Sequence, residues 1–166
     1  MVIVLNRPHV DDRVTDLLWM VRVAPGFLPQ TAARHAGKEL EVFLADNQLL
    51  HVKLDNEPRG LLWDIYARQS RITLVADRDI AFDTALLAVS YAMAADGIAL
   101  ADIAMFADEL ADGRRVMPCD AAIDDGFGYY LKLGADDLAD PAIGLFRSFL
   151  IGRFAALEAP VRQALG

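Results

Sequence analysis

The 166-residue sequence has one cysteine, Cys119, so no disulfide can form within the chain and no second thiolate is at hand for a metal. A reducing cytoplasm is the expected compartment. No run approaches the ~18 uninterrupted apolar residues of a membrane span. The start, MVIVLNRPHVDD, has about five apolar residues, no basic lead and no small-residue cleavage site, so the chain reads as soluble and not exported. Positive charge is also scarce: 16 Lys and Arg against 24 Asp and Glu give a net charge of −8. Such a surface repels phosphate backbones and anionic membranes, so any nucleic-acid role must be indirect. What is abundant is apolar residues, 55% of the chain, enough for a packed core and against wholesale disorder. The length allows one domain or two small lobes.

Apolar periodicity organises the chain as alternating strands and helices. MVIVLN reads as a buried strand, 17–24 as a second ending at Pro25-Gly26, 27–36 as a helix stopped by Gly37, and 39–46 as a short helix that could also be a strand. Residues 49–54 alternate as a strand, an amphipathic helix is expected from about 60 to 69, and 71–82 holds one or two short strands split at Asp77-Arg78. The clearest signal begins at Phe82. Asp83 or Thr84 can cap a helix with Leu86, Val89 and Met93 facing inward, closed by Gly97, and a strand follows over 97–101. A second helix is expected with Ile103, Phe106 and Leu110 on one face, stopped by Gly113, and then a strand over 114–117 before Pro118. Residues 127–133 read as another strand. A last helix from Asp140-Pro141 places Ile143, Phe146, Leu150, Phe154 and Leu157 on one side, widened by Leu145 and Phe149. Strand–helix alternation with tight turns implies an α/β sheet paired in parallel by right-handed crossovers.

No catalytic constellation stands out. His9, His35 and His51 lack the spacing of a metal site and read as surface or helix-end residues. The aspartate pairs at 11–12, 124–125 and 136–137 read as solvated turn formers, because adjacent strand residues point to opposite faces. Gly126-Phe127-Gly128 precedes a strand and lacks the rest of a phosphate loop, and Ser70, Ser90 and Ser148 have no nucleophile elbow. One position invites a ligand. Asp83 and Thr84 sit where a strand meets a helix, the place where open parallel sheets bind small molecules, and free N–H groups there favour carboxylates. Thr84 could add a donor; Asp83 opposes an anion unless it is turned away. Capping alone explains both residue types equally well.

The order of segments resembles a known family. FDTALLAVSYAMAADGIALADIAMFADELADGRRVMP resembles the second lobe of the effector-binding domain in LysR-type transcriptional regulators, with its "FD-S/T" helix start, "G-(I/V)-A-L" strand, acidic helix and "G-x-L/R-V-x-P" ending. GFGYYLKL resembles the strand returning to the first lobe, Pro141 to Phe154 the final helix, and MVIVLN the hinge strand. LLWMVRVAPGFLPQTAAR resembles the stretch that follows the hinge. LLHVKLDNEPRGLLWDIYA resembles the "L-L-H" strand and tryptophan-bearing helix of the glycine-cleavage-activator-like branch. The resemblance runs from residue 1 to about 157. It implies a periplasmic-binding-protein-like α/β fold with a nearly complete second lobe and a partial first lobe: 1–6 the hinge strand, 7–118 the second lobe, 119–166 the return strand and terminal helix.

The same resemblance implies an N-terminally truncated regulator, with DNA bound only through an absent winged-helix domain. It implies a non-enzymatic sensor without cofactor or metal, which takes a small, carboxylate-bearing effector between its lobes and shifts their angle in a multimer. The implied contacts are Asn6, Arg7, Phe82, Asp83, Thr84 and Tyr129 or Tyr130, with Arg7 as the carboxylate partner. The tyrosines point opposite ways on a strand, so at most one can face a ligand. The rival reading is a stand-alone module that pairs with itself or with relatives through the apolar side of the last helix. An unrecognised enzyme on the same sheet is the third.

Overall fold

The computed structural model describes residues 1–8, 14–34, 36–74, 80–95, 97–114, 116 and 121–164, with Val14 and 156–164 described by backbone alone. His9, Asp11, Asp12, His35, Asp77, Arg78, Pro118, Cys119 and the Leu157 side chain lie outside the described residues. The elements in order are β1 (Val2–Asn6), β2 (Val14–Gly26), α1 (Pro29–Arg34), α2 (Leu40–Ala45), β3 (Leu49–Val52), α3 (Leu61–Ser70), β4 (Ile80–Phe82), α4 (Ala85–Ala94), β5 (Ile98–Asp102), α5 (Ala107–Ala111), β6 (Ile123–Leu133), α6 (Ala135–Leu138) and α7 (Pro141–Ala164). The chain divides into two compact units, one of Met1–Val21 with Gly126–Gly166, the other Arg22–Asp125.

In the larger unit, β3 pairs in parallel with β4 on one side and β5 on the other, and β2 joins β5 antiparallel through Val23↔Asp102 to Gly26↔Ala99. The sheet is therefore mixed, with β2 antiparallel in a sheet expected to be rich in parallel pairs. Helix α4 lies against β5, β3 and β4. It does so through Ala88, Val89 and Ala92, while Leu86, expected inward, is 61% exposed. Small residues let the helix approach closely, and the approach continues at Gly97, where a methyl group would stand 3.0 Å from Leu50 Cδ1. Trp63 on α3 donates its Nε1–H to the Leu50 carbonyl at 2.9 Å and meets Tyr66 edge-on, tying the helix to β3.

Two further expectations change here. The helix expected to carry Ile103, Phe106 and Leu110 shortens to α5, because Asp102 Oδ1 accepts the Ala104 N–H at 2.9 Å and holds a turn in which Ile103 and Phe106 are still buried. The strand over 114–117 reduces, among the described residues, to the bridge Phe27↔Val116. His51, expected at the surface or a helix end, is 4% exposed, on a strand that lies inside the sheet and is packed by helices α3 and α4.

In the smaller unit β1 pairs antiparallel with β6, from Val2↔Lys132 to Asn6↔Gly128, and β6 is hydrogen-bonded to β2. Strand β6 begins at Ile123, earlier than expected. It therefore absorbs Gly126 to Gly128 and the pair Asp124-Asp125, of which Asp125 is buried instead of lying in a solvated turn. Asp136 and Asp137 start helix α6, where Asp137 Oδ2 accepts the Gly134 N–H at 2.8 Å. Helix α7 packs Leu150 with Leu18 and Leu131, beside Trp19, Tyr129 and Phe154. Trp19 stacks between Tyr129 at 4.2 Å and Phe154 at 4.6 Å. Arg147 makes a two-pronged bond to Asp16, 2.7 Å on each arm, and that hydrogen-bonded carboxylate raises the Arg147 pKa above its ordinary value. These contacts hold the first half of β2 in the smaller unit, which adjoins the larger one along the chain at 21/22 and 125/126.

Candidate functional site

The residues singled out from the sequence fall on two separate stretches of backbone. In the larger unit, the parallel register Val52↔Phe82 brings the end of β3 alongside the end of β4. The Lys53 N–H donates to the Phe82 carbonyl at 2.8 Å, and the Lys53 ammonium donates to Asp83 Oδ1 at 2.9 Å. Asp83 is thus turned to a cation, although both groups are well exposed and the pair is weak. Thr84 follows as the N-cap of α4 with extended backbone, and its Oγ1 accepts the Leu87 N–H at 3.2 Å. Its hydroxyl hydrogen is not consumed by the cap and can donate outward. The Phe82 ring leans on Tyr91 at 5.3 Å. Together these groups make an exposed helix start with unused backbone N–H groups, one hydroxyl donor and one ammonium.

Lys53 is the member that sequence reasoning missed. Its signal was present: it follows an alternating strand, and a parallel neighbour would set it beside the residue after Phe82.

Replacing Thr84 with Ala removes the cap and is expected to lower stability by about 1 kcal/mol, whereas Thr84→Ser, which keeps the oxygen, costs a few tenths. Urea unfolding followed by circular dichroism measures the difference. Equal losses for both variants would show that the cap bond is not what the hydroxyl contributes.

In the smaller unit the register divides the candidates between two faces. Directly paired residues share a face, so Asn6, Gly128 and Tyr130 lie on one side, while Arg7, Phe127 and Tyr129 lie on the other. Tyr130 is buried, with its ring close over Gly128: a methyl there would stand 3.1 Å from Tyr130 Cε2, Leu17 Cδ1 and Met20 Sδ. Asn6 Oδ1 accepts the Arg7 N–H at 2.8 Å. The Arg7 guanidinium lies 5.0 Å above the Phe127 ring, and Tyr129 is held in the stack on Trp19. The two tyrosines therefore point opposite ways, and the Tyr129 ring is occupied by packing. Among the described residues no three His, Cys, Asp or Glu side chains converge on a metal position, and no helix is long and apolar enough to cross a membrane.

Known proteins place this architecture. No protein-family model matches the chain. A stretch of 70 residues is 39% identical to the HTH-type transcriptional activator AmpR of Providencia stuartii, covering 42% of this chain and 24% of that protein. The match thus spans about a quarter of the activator's length. Among solved structures, the effector domain of the transcriptional regulator AmpR of Pseudomonas aeruginosa superposes with a TM-score of 0.77 at 22% identity, over 99% of this chain and 75% of that one. The C-terminal domains of a LysR family protein from Agrobacterium tumefaciens superpose with a TM-score of 0.63 at 17% identity, over 93% and 72%. The two-unit mixed α/β fold of this chain is the fold of the effector-binding domains of LysR-type transcriptional regulators, a periplasmic-binding-protein-like architecture.

Proposed function

We propose that the chain is the effector-sensing part of a LysR-type transcriptional regulator, acting in the cytoplasm on a small anionic metabolite without turnover. The observation that carries this reading is the likeness of fold along nearly its whole length to effector domains, reinforced by the 39% identical stretch to an activator. Membership of the glycine-cleavage-activator-like branch rests on the LLH strand and the tryptophan-bearing helix, whose joining bond, Trp63 to the Leu50 carbonyl, gives that pairing of motifs a structural reason.

Contact with the effector is assigned to Phe82, Asp83 and Thr84, extended by Lys53, and to Asn6, Arg7, Tyr129 and Tyr130. A carboxylate suits the first group best. Its oxygens would accept from the first-turn N–H groups of α4, the Thr84 hydroxyl and the Lys53 ammonium, leaving Asp83 to hold that ammonium in place. Of the second group Tyr130 and Asn6 share a face, and Arg7 would have to leave Phe127 to reach an anion. The sensing itself is a population shift: an effector that binds one arrangement of the chain better than another displaces the balance between them. DNA contact is assigned to residues beyond this chain, in keeping with its charge of −8.

The test is a thermal-shift screen of small carboxylates and amino acids against the chain and against a regulator that contains it. One or more acids should raise the melting temperature by several degrees at saturating concentration, since a ligand at a hundred times its dissociation constant contributes about 2.7 kcal/mol. Lys53→Ala should abolish most of that shift while leaving the ligand-free melting temperature within about a degree, because an exposed ion pair contributes little. A screen in which no acid moves either protein removes the sensing reading.

A further inference from the structure

We draw no further inference here: the strongest candidate, the end strand β1, whose Val2, Ile3 and Leu5 leave apolar surface exposed on both of its faces, carries none because nothing in the structure shows what covers it.

Discussion

Trp63→Ala is expected to destabilise the larger unit by about 3–5 kcal/mol, the range for emptying a buried aromatic site. The side chain is 3% exposed, packs edge-on against Tyr66 and carries the bond to the Leu50 carbonyl. Its removal opens a cavity between α3 and β3 and takes the side-chain hydrogen bond from the Leu50 carbonyl. Trp63→Phe separates the two effects. It keeps most of the ring and loses only the donor, so it should cost about 1–3 kcal/mol. Urea unfolding by circular dichroism gives both values, and Trp19 fluorescence follows the smaller unit in the same samples because Trp19 is the other tryptophan. A loss below about 1 kcal/mol for Trp63→Ala would mean that the α3–β3 contact is not part of the core.

The second large effect is expected at Trp19 itself. Its ring is sandwiched between Tyr129 and Phe154, with Leu18, Leu131 and Leu150 beneath. Trp19→Ala removes both stacked contacts together with their burial, and about 3 kcal/mol should be lost from the smaller unit. Among the described residues that unit is held by three strands, the short α6 and the long α7, so the loss is a large share of its stability. The readout is proteolysis in native buffer, where cleavage within 141–164 should accelerate by about a hundredfold, the population change that such a loss produces. An unchanged cleavage rate would show that α7 is not held by the aromatic stack.

The sequence made the order of elements legible because most strands are short apolar runs bounded by Pro, Gly or Asp, and because the caps are local. Thr84 was readable as an N-cap since its oxygen reaches only three residues ahead. The directions of strand pairing were not readable. Antiparallel β2 on β5 and β1 on β6 depend on which edges meet, and alternation along the chain does not encode that. Helix faces were read by hydrophobicity, which put Leu86 inside. The structure buries Ala88 and Ala92 instead, because closeness of approach decides the packed face when the partner is a sheet backed by Gly97.

The same limit applies to α7. Seven large apolar residues read as one broad stripe, whereas among the described side chains the sheet takes Ile143, Arg147, Leu150 and Phe154, and Arg147 is drawn in by Asp16 from 131 residues away. At the candidate site, Asp83 and Thr84 were visible from the strand-to-helix junction, whereas the signal at Lys53 becomes readable only once β4 is known to be its parallel neighbour, 30 residues distant. Tyr129 and Tyr130 could be assigned to opposite faces by alternation. Which of them is taken up by packing depended on Trp19, on another strand.

The account stands on a small acid meeting the start of α4. Amide-resolved NMR of the labelled chain, titrated with the most stabilising acid of the screen, looks at that contact directly. The account predicts that the largest shifts fall on Thr84 to Leu87 and on Lys53, whose N–H is bonded to the Phe82 carbonyl, and that they saturate at the concentration that saturates the thermal shift. Saturable shifts centred on α1, α2 or α5, with the Thr84 to Leu87 amides unmoved, would contradict it.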